Sequence, residues 1–275
     1  MRIFEVHRRN YKSFFLFSLM KFNKILVVYT NKNSKNHKEC LKNVKDYLSN
    51  SEFEIVFSKS EDFERIILDF DLIITIGGDG VFLRVSHFIV DIPIFGINSD
   101  ISSSQGELTS LSCFDVNILD NVLKGNLKID ERERIDVFLN GELINERALN
   151  EVYVGSANQF HTSRYSVFLD GKEEEHRSSG ILIVTKTGST AWYKSAGGKP
   201  FEKDILKYLV REPSINRVFD SKILSGEIID KIKIDSKMNY DGILALDSNK
   251  IYPFNFGDSV ELKKSNKPLK VVKPL

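Results

Sequence analysis

The chain has 275 residues, 41% hydrophobic and 28% charged, enough apolar material for one large domain or two modest ones. A formal net charge of +1 gives no electrostatic reason to expect nucleic acid as a partner, and no stretch reaches the roughly 20 apolar residues of a membrane span. Cys40 and Cys113 are too few for a disulfide framework and lack metal-ligand spacing, so a reducing cytoplasm is the simplest compartment.

The opening segment, 1–19, carries His7, Arg8, Arg9 and Lys12 ahead of a short apolar patch at 14–20. It is not a signal peptide, because Lys21 follows at once and no small-residue cleavage site appears. It reads as a disordered extension or an upstream start that the cell does not use, with a first domain expected over 20–125. Residues 24–29 (KILVVY) predict a buried strand, and Leu41, Val44, Tyr47 and Leu48 recur at helical spacing. A second strand is expected over 53–57, a short helical piece over 63–68, a third strand over 72–76, a fourth over 92–97 and a helix over 114–123. Strands alternating with helices predict a parallel sheet with right-handed crossovers, in which ligands collect at the carboxyl ends of the strands.

The third strand runs into Gly77, Gly78, Asp79 and Gly80, after which Val81 returns to apolar helical spacing. Glycines at such a turn let the backbone approach a ligand closely, and the helix N-terminus behind them favours phosphate oxygens. A carboxylate placed there would repel a diphosphate, unless it holds a magnesium ion or takes a proton from a hydroxyl that attacks a phosphoryl group. The bland alternative makes Asp79 a helix N-cap.

From Leu127 the pattern changes to alternating strands punctuated by the hairpin dipeptides Asn140-Gly141, Asp170-Gly171 and Asp241-Gly242. A mostly β second domain is expected over 126–255, with 256–275 closing it or returning to cover the first. The four charges at 172–175 read as a solvated hairpin edge. Two polar features interrupt this domain's apolar strands. Asn150 and Glu151 sit side by side in an apolar run, so at least one is buried unless a turn or ligand intervenes; the pair either contacts a ribose or nucleobase or ends a strand. The strand at 181–185 runs into TGSTAWYKS (187–195), where Thr190 or Ser189 is the expected cap of a following helical turn.

Together the GGDG turn, the Asn-Glu pair and the TGSTA loop resemble, in order and spacing, the NAD kinase family, whose members phosphorylate the 2′-hydroxyl of the adenosine ribose of NAD. The resemblance covers the chain from about Phe22 onward and implies an α/β domain followed by a mostly β, NAD-binding domain. By position it implies Asp79 as catalytic base, a phosphate-binding turn at Gly77, Gly78 and Gly80, and dinucleotide contacts from Asp79, Gly80, Asn150, Glu151, His161, Arg177 and the loop residues Thr190, Ala191, Trp192, Tyr193, Lys194 and Ser195. Arg84, one helical turn beyond Asp79, is a further candidate for a phosphate. No side-chain metal site is implied. A divalent ion, magnesium above all, is expected with NAD and with ATP or polyphosphate as donor, in a homo-oligomer that engages neither nucleic acid nor membrane. The chain departs from the family at Val81 (threonine), Ser179 (aspartate) and Lys186 (proline), and 211–217 lacks the family's histidine. Two rival readings share parts of the motif set: a lipid kinase of the diacylglycerol or sphingosine type, and a dinucleotide sensor without catalysis.

Overall fold

The computed structural model describes residues 21–63, 66–113, 115–217 and 220–275. The expected extension at 1–19 lies outside them. The described residues form, in chain order, β1 (Lys24–Tyr29), α1 (Lys35–Ser49), β2 (Glu54–Lys59), β3 (Leu72–Gly77), α2 (Asp79–Ser86), β4 (Ile94–Asn98), β5 (Leu111–Ser112), α3 (Val116–Leu123), β6 (Leu127–Arg132), β7 (Ile135–Leu139), β8 (Glu142–Leu143) and β9 (Glu151–Ser156). They continue with β10 (Ser163–Leu169), β11 (Lys172–Ser178), β12 (Ile181–Val184), α4 (Trp192–Ser195), β13 (Leu206–Val210), β14 (Ser225–Ile228), β15 (Lys231–Ser236), β16 (Gly242–Leu246), β17 (Lys250–Pro253), β18 (Ser259–Lys264) and β19 (Leu269–Pro274).

The first sheet runs β2-β1-β3-β4-β19-β6, with β5 beside β4. All its pairings are parallel except β19 with β6. Strands β3 and β4 are buried along their whole length, which is why they read as unbroken apolar runs: both faces of a parallel sheet are covered. On one face α1 docks His37, Cys40, Val44 and Leu48, starting from Ser34, whose side chain accepts from the His37 amide at 3.1 Å. On the other lie Phe82, Leu83 and Val85 of α2.

The second unit is a sandwich of two sheets, β11-β10-β15-β18-β7-β8 and β14-β13-β12-β9-β16-β17. One apolar core fills the space between them, drawing on Val137, Val152, Tyr165, Ile183, Ile234, Leu244 and Val260 among others. An α/β unit followed by a mostly antiparallel one is the class expected.

Several details differ from the sequence-based expectations. The segment expected to be helical over 63–68 has no helix among its described residues; a 3-10 turn occupies Ser60–Asp62 instead. Only Ile67 is buried there, its amide donating to the Phe88 carbonyl at 2.8 Å, while Ile66 and Leu68 are exposed. The strand at 127–132, grouped by sequence with the β domain, bonds to β19 in the first sheet. Asn140-Gly141 and Asp170-Gly171 make hairpin turns with positive φ at both residues, but the third such turn is at Asp247 and Ser248, not at Asp241-Gly242. Gly242 is instead required by close approach, since a Cβ there would overlap the Phe254 carbonyl. Cys40 and Cys113, whose small number pointed to a reducing compartment, are joined by a disulfide that ties α1 to the residue after β5. No helix among the described residues is long and apolar enough to cross a membrane.

Candidate active site

Strand β3 delivers Asp79 to the first residue of α2 at the carboxyl end of the parallel sheet. The N-cap of α2 is Gly78, without a side-chain hydrogen bond, so Asp79 does not cap its own helix. Its carboxylate reaches across to the loop after β4 instead: Oδ1 accepts from the Leu108 amide at 2.9 Å and Oδ2 from the Glu107 amide at 3.2 Å. An ionised carboxylate has about four lone-pair positions, so two amides orient the group and leave capacity for a substrate hydroxyl. A Cβ at Gly80 would meet nothing within 4 Å, so no packing within the chain demands glycine there.

The serine-rich run at 99–104 forms part of the loop holding Asp79. Asn98 Nδ2 donates to the Ser104 carbonyl at 3.0 Å, and Asn36 Nδ2 donates to Asp100 Oδ1 at 3.2 Å. Hydrogen bonds from Ser102, Ser34 and Asn36 hold the Asp100 carboxyl well below the usual carboxylate range. Buried His37 ties the same loop to β1: Nε2 donates to the Thr30 carbonyl at 2.8 Å, which leaves Nδ1 to accept from the Ser99 hydroxyl at 2.7 Å.

Asn150 and Glu151 stand at the start of β9, and both are buried. Among the described residues, Asn150 Oδ1 and Glu151 Oε2 are buried polar atoms without a hydrogen-bond partner, which is costly unless a ligand completes them. Burial and the neighbouring Asp247 charge push the Glu151 carboxyl up to about 8. Leu149, next to the pair, lies in the same apolar cluster as Phe82 and Leu83 of α2. Through Leu149 the segment bearing the Asn-Glu pair packs on the helix that begins with Asp79.

The loop after β12 closes the third side. The Thr185 hydroxyl donates to the Leu149 carbonyl at 2.6 Å, and the Thr185 amide to the Asn150 carbonyl at 3.0 Å. A Cβ on Gly188 would overlap the Asn150 carbonyl. Neither Ser189 nor Thr190 caps a helix here: 187–190 form a 3-10 turn, α4 is a single turn, and its N-cap, Ala191, makes no side-chain bond. Between this loop, Glu107, Leu108, Arg132 and Lys186 lies a cavity of about 370 Å³, which Asp130, Glu131, Glu133, Glu202 and Asp204 also line and make acidic.

The remaining candidates are more scattered. Trp192 stacks on Tyr153 at 5.2 Å, with the Arg211 guanidinium 5.1 Å from its ring. Tyr193 turns away into the apolar cluster beneath the loop and meets Phe201 edge-on, while Lys194 and Ser195 are exposed on α4. His161 stacks on Tyr240 at 3.9 Å with its Nδ1 buried and unpartnered. Arg177 lies on β11 opposite Arg164. Arg84 faces Glu61, whose carboxyl it helps to lower. Sequence reasoning missed Asp247, His87, Thr185 and Tyr153, all of which support the site from behind. Only Asp247-Ser248-Asn249, a polar triplet after an apolar run, carried a local turn signal.

The ATP-NAD kinase N-terminal domain model matches residues 13–124, and the ATP-NAD kinase C-terminal domain model matches residues 149–274. A probable NADH kinase of Oryza sativa subsp. japonica is 32% identical over 265 residues, covering 86% of this chain and 82% of its own length. An NAD kinase of Methanosarcina acetivorans is 33% identical over 208 residues, covering 74% and 73%. Among solved structures, an NAD kinase from Archaeoglobus fulgidus in complex with ATP superposes with a TM-score of 0.69 at 25% identity, over 90% of this chain and 92% of that one. Yeast NADH kinase complexed with NADH shares the fold, with a TM-score of 0.76 at 17% identity over 93% and 84%. By family models that together span most of its length, and by relatives above 30% identity, this chain belongs to the NAD kinase family.

Proposed function

We propose that this chain transfers a phosphoryl group from ATP or polyphosphate to the 2′-hydroxyl of the adenosine ribose of NAD, producing NADP. The observation that carries this reading is the Asp79 carboxylate, oriented by the Glu107 and Leu108 amides at the start of α2, together with an Asn-Glu pair whose buried Oδ1 and Oε2 lack partners. Asn150 and Glu151 bind the dinucleotide and fix its ribose. Asp79 accepts the 2′-hydroxyl proton as that oxygen attacks the phosphoryl group. The Gly77–Gly80 turn and the amides at the start of α2 take phosphate oxygens. Acceleration then comes mostly from positioning and electrostatic stabilisation.

Among the described residues no group of three acidic, histidine or cysteine side chains stands together. Magnesium belongs in this reading to the donor, entering on its phosphates as part of the substrate. Phosphorylation of a soluble dinucleotide suits a cytoplasmic protein, in which the Cys40–Cys113 disulfide would be an exception to the usual reduced state of thiols. The test is NADP formation from NAD, with NADH in parallel, in the presence of magnesium and either ATP or polyphosphate. Asp79→Asn is expected to fold and to lose at least about 100-fold in kcat; activity within threefold of wild type would remove Asp79 from the base role. Dinucleotide binding without turnover in the wild-type protein would leave the sensor reading in its place.

A further inference from the structure

The turn between β16 and β17 presents Asp247 with positive φ (48°) and a side chain that is completely buried. Its carboxylate collects four donors. Oδ1 accepts from the Asn150 amide at 2.7 Å and the Glu151 amide at 3.0 Å, and Oδ2 accepts from the Leu149 amide at 2.8 Å and His87 Nε2 at 2.8 Å. Three of these are consecutive backbone amides. In an extended strand, successive N–H groups and successive side chains point to opposite sides. Three consecutive amides converging on one carboxylate therefore require the chain to curl just before β9, and the curl is what allows two adjacent side chains to serve one site. The Asp247 amide closes the arrangement by donating to the Glu151 carbonyl at 3.0 Å. His87, the fourth donor, is the C-cap of α2, whose first residue is Asp79.

We propose that Asp247 is a positioning residue for the phosphoryl transfer: it bends the Asn150-Glu151 segment into its ligand-facing conformation and, through His87, locks that segment to the helix bearing Asp79. A carboxylate is suited to this task because it accepts from all four donors at once; an amide or hydroxyl of similar size cannot. Asp247 touches no reacting atom, so its loss acts on how well the dinucleotide is held.

This inference rests on the dinucleotide-kinase reading above. Asp247→Asn is compared with wild type for kcat, KM and the dinucleotide Kd by calorimetry, alone and combined with Asn150→Ala. The expected result is a KM and Kd raised at least tenfold with kcat lowered less than threefold, and a penalty that largely disappears in the Asn150→Ala background because both changes disable the same contact. His87→Gln, which perturbs the carboxylate from the α2 side, is expected to raise KM and Kd about threefold with the same non-additivity, and decides the matter alone if Asp247→Asn does not fold. If wild type neither binds nor phosphorylates the dinucleotide, the reading of the site falls and this inference with it. If wild type is active but the folded variants keep KM and Kd within twofold, or their penalties add undiminished to that of Asn150→Ala, Asp247 is merely structural and the proposal is overturned.

Discussion

Glu151 is a carboxyl group buried against the charge of another, Asp247, and its proton is held more tightly in the folded chain than in the unfolded one. Between the ordinary glutamate range and about 8, the folded state binds more protons than the unfolded state, so stability falls as pH rises through that window. Above it the loss is complete, of the order of several kcal/mol by the usual conversion of pKa shifts. Thermal unfolding followed between pH 6 and 9 should show a declining Tm for wild type and a flatter profile for Glu151→Gln; equal slopes would mean that Glu151 ionises freely. At this scale the sequence was legible where a motif names chemistry: Asp79 opens α2 at the end of a strand, and Asn150 and Glu151 are buried side by side. Asp247 and His87 stayed hidden because they act from 96 and 63 residues away from Glu151 and Asn150 respectively. Nothing in a linear pattern marks a side chain whose task is to gather another segment's amides.

Elements were most legible where burial is two-sided. β1, β3 and β4 could be read because a parallel sheet covered on both faces demands unbroken apolar runs. The hairpin at Asp247 and Ser248 was misassigned to Asp241-Gly242 because a glycine needed for close packing looks, in sequence, like a glycine needed for a turn. The same ambiguity surrounds Gly188, and here the structure resolves it: the 3-10 turn at 187–190 lies directly against the Asn150 carbonyl. Gly188→Ala should push that loop away from the Asn-Glu pair, at a stability cost of about 1–3 kcal/mol for overpacking and with a higher KM for the dinucleotide. Chemical denaturation together with steady-state kinetics would check both; unchanged KM would mean that the loop is free to reposition.

Across the whole molecule, the two units are bolted together by a side chain that no motif announced. Arg134, completely buried between β6 and β7, donates to the Lys267 carbonyl at 2.7 Å, the Ile89 carbonyl at 2.6 Å and the Val90 carbonyl at 3.0 Å. Desolvation lowers its pKa to about 10, and it remains charged at neutral pH. Arg134→Met would leave those carbonyls without donors, at an expected cost of about 3–5 kcal/mol. Because Trp192, the sole tryptophan, sits in the second unit, its fluorescence should then report unfolding at a urea concentration different from that of the far-UV circular dichroism transition; coincident transitions shifted together would show that the units still unfold as one.

The position of β19 in the first sheet also has a consequence for how the chain is made. Residues 269–274 lie between β4 and β6, so Val271 pairs with Ile94 and the whole of β6 pairs with β19. During synthesis the ribosome releases β1 to β6 long before their missing neighbour exists, and two strand edges of the nascent first unit stay unpaired while the entire sandwich emerges. Such edges invite association with other chains. The order of translation thus leaves the unit bearing Asp79 incomplete until residues 269–274 have cleared the exit tunnel, making it the half most dependent on chaperone cover.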